Sequence, residues 1–199
     1  MGSTRLPNKV LMDLCGKPVL KHIIERLSRT KKIDNIIVAT TNLPEDDILY
    51  NTVKNWGISC VRGSSDDVLA RYHKAALAYP CDTVMRVTAD CPLLDPLVCD
   101  DVIAFYQAGC YQYVSNVHPD WDKRTYPRGL DCEVFSCDLL KDAYANADEA
   151  YEREHVTPYM YWKNKSVGYY SNSENYSHLR WTLDTPQDYQ LLCEIYNAI

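Results

Sequence analysis

Three short stretches carry residue types that do chemistry. The first, MGSTRLPNK at positions 1–9, gathers Gly2, Ser3, Thr4, Arg5 and Lys9. A glycine permits close backbone approach, the two hydroxyls donate, and the two cations supply fixed and flexible positive charge. Together they suit a di- or triphosphate, although the G-x-x-x-x-G-K-[ST] phosphate loop is absent. A basic terminal stretch with no ligand is the alternative. The other two stretches end in acids: Asp90 follows VMRVTA and Asp184 follows LRWTL, each where a strand-like run meets a Pro-containing turn. Two such carboxylates, arriving from neighbouring strands, can share one Mg²⁺, a hard ion that takes carboxylate and phosphate oxygens. Taken singly, each reads better as a cap for the helix that follows it, and it is the pair together with the cationic loop that brings in the metal reading.

Two further stretches are chemically ambiguous. Arg153, Glu154 and His155 in YEREHVTPY read either as surface ion pairing at a helix start or as functional groups. Lys123, Arg124 and Arg128 in the loop DWDKRTYPRGLD suit either an acidic sugar or a solvated charge run. The letters DWD at 120–122 match a D-x-D metal motif, but they lie in a polar loop.

The elements that must position these residues alternate. GKPVLKHIIERLSRT repeats apolar residues at helical spacing, and NIIVATT is a β-branched run. PEDDILYNTVKNW, SSDDVLARYHKAALAY, LVCDDVIAFYQAG, CDLLKDAYANA, YEREHVTPYMYWKN and TPQDYQLLCEIYNAI read as helices. SCVRG, DTVMRVT, QYVSN, LDCEVFS and LRWTLDT read as strands. Strands separated by helices of this length pair in parallel with right-handed crossovers. The expectation is an α/β three-layer domain over 1–199, mostly parallel, with an inserted antiparallel region at about 112–136. Ligands in such sheets sit at the carboxyl ends of strands, which singles out GSTRLPNK, ATTNLPED, TADCPLLDP and TLDTPQD.

The 199 residues carry a formal charge of −6, which argues against a nucleic-acid backbone as main partner. No apolar run approaches the roughly 20 residues of a membrane span. No charged-then-apolar leader opens the sequence, so a cytoplasmic location is expected. Nine cysteines stand singly with no C-x-x-C, which predicts reduced thiols and no zinc site.

In order, GSTRLPNKVL, GKPVL, VATT, RGSSDDVLARY, RVTADCPLLDP, YVSN, YPRGLDCEVFS, EREHVTPY and LRWTLDTPQDY resemble one family over essentially the whole chain. It is the cytidylyltransferase-type family of spore coat polysaccharide biosynthesis protein F. That family is related to the CMP-sugar synthetases for 3-deoxy-manno-octulosonate and sialic acid. The resemblance implies a Rossmann-like nucleotidyltransferase fold with an inserted acceptor or dimerisation region, and a homodimer. It implies transfer of CMP from CTP to a sugar or 2-keto sugar acid, with release of pyrophosphate, for surface polysaccharide assembly. Ser3, Arg5 and Lys9 then wrap the triphosphate, Asp90 and Asp184 hold Mg²⁺, and Gly63, Ser64 and Arg71 serve the base or acceptor pocket.

Two departures from the family stand out. Asn8 occupies a position usually held by glycine, and asparagine tolerates the left-handed backbone such a turn needs. Relatives also carry a hydrophobic strand ending in Ala-Arg directly before the loop. Its absence here predicts a sheet without its first strand and leaves turnover by this chain open. A glycosyltransferase and a non-catalytic nucleotide-binding subunit are the competing readings.

Overall fold

The computed structural model describes residues 6–163 and 166–198. A short hairpin comes first, β1 (Asp13–Leu14) against β2 (Lys17–Pro18). Its two-residue turn puts Cys15 at φ 50° and Gly16 at φ 86°, the positive-φ pair that tight hairpins require. Helix α1 (Val19–Leu27) follows, burying Val19, Leu20, Ile23, Ile24 and Leu27 at the spacing legible in the sequence. Strand β3 (Ile37–Thr41), helix α2 (Asp47–Asn55) and strand β4 (Ser59–Gly63) form one parallel unit. After helix α3 (Val68–Ala78) come strand β5 (Thr83–Arg86) and helix α4 (Pro96–Ala108).

Strands β6 (Tyr113–Ser115) and β7 (Glu133–Ser136) are the expected antiparallel pair within 112–136. Helices α5 (Cys137–Asn146), α6 (Ala150–His155) and α7 (Pro158–Lys163) lead to strand β8 (Val167–Tyr169), and helix α8 (Pro186–Ala198) closes the chain. The α/β character is as expected, but the hydrogen-bonded sheet is more evenly mixed than the helix-separated strands imply. Its four strands run β5-β7-β6-β8, with only β6–β8 parallel, because β7 folds back between β5 and β6. Among the described residues β3 pairs only with β4 and β5 only with β7.

Three local expectations change. YEREHVTPYMYWKN is two helices and not one: buried Val156 adopts φ 72°, and Pro158, which has no N–H to continue a helix, opens α7. LRWTLDT, among the described residues, joins no ladder beyond an isolated bridge between Arg128 and Arg180. The stretch between YEREHVTPYMYWKN and LRWTLDT, to which no element was assigned from the sequence, contributes β8. All nine cysteines are free thiols.

One core cluster lies under the strand-end turns. Val19, Ile23 and Leu27 of α1 meet Leu93 and Leu94 of the turn after β5, Leu183 before α8, and Leu192 within α8. Each such buried side chain contributes about 1.5–3 kcal/mol, so both acid-bearing turns are fastened to the same hydrophobic base.

Candidate active site

Helix caps decide what Asp90 and Asp184 are free to do. The cap of α4 is Asp95, whose Oδ1 accepts from the amides of Leu97 at 2.7 Å and Val98 at 3.4 Å. At α8, Asp188 Oδ2 accepts from the amides of Asp184 and Thr185, both at 2.9 Å. Thr185 Oγ1 in turn accepts from the Asp188 amide at 3.2 Å, which completes a reciprocal cap. Capping therefore falls to Asp95 and to the Thr185–Asp188 pair. Asp90 and Asp184 face elsewhere, and the two turns are tied by a 2.7 Å hydrogen bond from the Leu183 amide to the Asp90 carbonyl.

The side chain they face is Lys9. Asn8 takes the left-handed conformation, φ 59° and ψ 17°, and starts a single 3₁₀ turn over Lys9–Leu11. From that turn Lys9 Nζ donates to Asp90 Oδ2 at 2.9 Å, Asp184 Oδ1 at 2.9 Å and the Leu183 carbonyl at 2.8 Å. The three side chains are only 15%, 25% and 19% exposed, so water screens this cluster poorly. Burial works against the Lys9 charge, yet Asp90 and Asp184 outweigh it and raise the Lys9 pKa.

Arg180 secures the far side: its Nη2 donates to Asp184 Oδ2 at 2.7 Å and its Nε to Asp188 Oδ1 at 3.0 Å. Burial pushes the Asp188 carboxyl up, but hydrogen bonds from Arg180, Asp184 N–H and Thr185 hold it down to about 2. Neither Arg180 nor Asp188 was singled out from the sequence. The T-x-x-D spacing of TPQD and the four-residue step from Arg180 to Asp184 were the available signals.

Two carboxylate oxygens from separate turns thus converge on one cation position, held here by an ammonium. Their hard donor character and shared focus fit a Mg²⁺ ion. No group of three metal-ligating side chains exists among the described residues, so phosphate oxygens and water would have to complete the shell.

Other candidates fall elsewhere. Gly2, Ser3, Thr4 and Arg5 lie outside the described residues. Gly63, Ser64 and Arg71 sit together at the β4–α3 junction. A side chain at Gly63 would come within 2.7 Å of Arg71 Cγ, Ser64 Oγ accepts from the amides of Asp66 and Asp67 just before α3, and Arg71 Nε is buried with no partner among the described residues. Burial lowers the Arg71 pKa.

Arg124 does not reach out to a sugar. It is 3% exposed, paired with Asp131, and donates to the carbonyls of Tyr126 and Pro127, clipping its own loop. Arg128 lies 4.4 Å over the Trp121 ring, and Lys123 pairs with Asp120 in a surface turn, so DWD is a loop feature. Arg153 pairs with Asp67 and ties α6 to α3.

The family model described as Cytidylyltransferase matches residues 1–195. This chain belongs to the cytidylyltransferase family. It is 37% identical over 198 residues to "Uncharacterized protein MJ1063" of Methanocaldococcus jannaschii, covering 98% of this chain and 79% of that one. It is 32% identical over 209 residues to spore coat polysaccharide biosynthesis protein SpsF of Bacillus subtilis, covering 98% and 82%. A solved cytidylyltransferase from Leptospira borgpetersenii superposes with a TM-score of 0.91 at 34% identity, covering 100% of this chain and 84% of the other. CMP:2-keto-3-deoxy-manno-octonic acid synthetase complexed with CTP superposes at 0.72 with 16% identity, covering 99% and 95%, a likeness of fold. This cytidylyltransferase is accordingly a nucleotidyltransferase of α/β fold, and no helix among its described residues is long and apolar enough to cross a membrane.

Proposed function

We propose that the protein transfers CMP from CTP to a sugar or 2-keto sugar acid, releasing pyrophosphate, for cell-surface or spore coat polysaccharide assembly. The observation that carries this reading is Lys9 Nζ at 2.9 Å from both Asp90 and Asp184. A cytoplasmic homodimer belongs to the same reading. In the reaction an acceptor hydroxyl attacks the α-phosphorus of CTP, and the bond from that phosphorus to the bridging oxygen of pyrophosphate breaks.

Nucleotidyl transfer of this kind depends on position and charge more than on covalent catalysis. Asp90 and Asp184 would hold the Mg²⁺, which when bound neutralises phosphate charge. Lys9 is placed to exchange its carboxylate partners for phosphate oxygens, with Gly2, Ser3, Thr4 and Arg5 a few positions earlier in the sequence. Arg180 keeps one oxygen of Asp184 occupied, so the other stays aimed at the shared cation position.

Incubation with CTP, Mg²⁺ and a panel of 2-keto sugar acids, reading pyrophosphate, tests the proposal. CTP-dependent release is expected with at least one acceptor. CTP binding seen by calorimetry without release from any acceptor would favour a non-catalytic subunit, and absence of both would overturn the reading.

A further inference from the structure

Helix α8 packs back on the β1–β2 hairpin along one seam. Tyr189, Cys193 and Asn197 fall four residues apart on α8 and so line a single face of that helix. The two outer members both touch the hairpin: Tyr189 Oη donates to the Asp13 carbonyl at 2.6 Å, and Asn197 Oδ1 lies 3.5 Å from Cys15 Sγ. Cys193 stands between them, so its side chain faces the hairpin too, and its own carbonyl oxygen is 3.8 Å from the same sulfur. Two thiols 178 positions apart in the sequence thereby meet.

The two differ in how they meet solvent. Cys15 sits in the hairpin turn at φ 50° and is exposed, whereas Cys193 is half-buried against the cluster under the strand-end turns. An open thiol backed by a sheltered one is the arrangement in which the first exchanges with a disulfide from solution and the second resolves the product. Other cysteine neighbours are worse placed. Cys99 and Cys132 are 0% and 1% exposed, beyond the reach of a dissolved oxidant. Cys81 is exposed, but Cys137 beside it is buried at the start of α5.

We propose that Cys15 and Cys193 form a thiol–disulfide exchange site whose co-reactant is a small disulfide of the oxidised-glutathione kind. The Cys15 thiolate attacks one sulfur of that disulfide; its S–S bond breaks, and one thiolate leaves and takes up a proton. The Cys193 thiolate then attacks Cys15 Sγ in the mixed disulfide, and the second small thiol leaves in the same way. The cysteines give up two protons and two electrons, and the small disulfide gains both as it becomes two thiols. The new bridge fastens the hairpin that follows the Lys9 turn to α8, whose first turn carries Asp188. The exchange requires no nucleotide, and excess free thiol reverses it.

Desolvation of the sulfur and the neighbouring Cys193 thiol raise the Cys15 pKa, so exchange quickens as pH rises and is tested at about pH 8.5. The protein is incubated with oxidised glutathione, then read by thiol titration after denaturation, by intact mass and by mapping of linked peptides. Two of the nine thiols are expected to be lost, the mass to fall by two hydrogens, and the linked peptides to join residues 15 and 193. Tm is expected to rise by at least about 5 °C, because the bridge links residues so far apart, and to return with dithiothreitol. Cys193→Ser should stop at the mixed disulfide, with glutathione retained on Cys15 and no rise in Tm. Cys15→Ser, at an exposed position, should form no bridge to Cys193 and keeps the test open should the other variant fail to fold. Nine intact thiols, a bridge between Cys81 and Cys137 in place of this one, or glutathione left on Cys15 of the parent protein would each overturn the proposal.

Discussion

Replacing Lys9 with methionine keeps the length of the side chain and removes the charge that separates Asp90 from Asp184. The facing oxygens lie no further apart than twice 2.9 Å. At a separation of about 6 Å and an effective dielectric of about 20, two such charges repel by roughly 3 kcal/mol. Arg180 still pairs with Asp184 and offsets part of this, which leaves a net loss of ~1.5 kcal/mol. For a chain of this size that loss lowers Tm by about 3–6 °C. The same repulsion is what a divalent ion relieves, so the vacated position should gain affinity for one. Melting with and without Mg²⁺, and Mn²⁺ binding followed by EPR without nucleotide, read the two effects separately. Lys9→Met is expected to melt lower, to regain most of the loss with Mg²⁺, and to bind Mn²⁺ at least about tenfold more tightly than the parent. Equal Mn²⁺ binding and equal melting in both proteins would refute the reasoning, because the ammonium would then not be occupying a cation site.

Two further outcomes follow from the turns that hold the acids. Asp188→Asn removes a carboxyl held at about 2 against an ordinary 3.8, a stabilisation of about 2 kcal/mol at neutral pH. Because the folded-state value is depressed, that contribution is complete above the unfolded value and is lost as pH falls through about 2. Denaturant melts should show parent and variant differing above pH 4 and converging towards pH 2; a gap that persists there would mean the loss is not electrostatic. Gly129→Ala places a Cβ 2.6 Å from the Trp181 carbonyl carbon at a backbone with φ 104°. It should destabilise by roughly 2–4 kcal/mol in the same melts, since Arg128 and Trp181 hydrogen-bond through this approach; an effect under about 1 kcal/mol would show that the contact yields easily.

What the sequence made legible was what local rules govern. Apolar spacing located α1 to α5 and α8, and the acid-plus-proline turns pointed to Asp90 and Asp184 before any geometry was known. Asn8 was legible as a left-handed residue for the same local reason. What stayed hidden depends on distant partners. The segment VGY becomes β8 only because β6 pairs with it in parallel, and its central glycine gives no strand signal. LRWTLDT has a strand's composition, yet among the described residues it meets only an isolated bridge. The break at Val156 rests on burial in a core shared with Phe135 and Leu140, which overrides the helical pattern on either side. Cys15 and Cys193 read as single thiols because only the packing of α8 on the hairpin brings them together.

On the proposed reading, the arrangement around Lys9 also accounts for how acids that would hold a metal can exist in a protein that has yet to meet its nucleotide. Asp90, Asp184 and Asp188 bring three negative charges into a partly buried space, and Lys9 and Arg180 return two positive ones. Bare carboxylates there would repel and destabilise the two turns they terminate. The cations differ in what they permit. Arg180 uses its planar fork on Asp184 and Asp188 together and is fixed by two partners on one helix start. Lys9 holds its partners by a flexible stem from a single short turn, and phosphate oxygens offer it equivalent bonds with more charge. On the proposed reading, arrival of the triphosphate moves Lys9 without disturbing Arg180, and the acids pass from an ammonium to a divalent ion with their geometry already set. A cation-binding pair in which both positive groups were arginine would lack that exchange, which is why the identity of residue 9 matters more than the bare charge count.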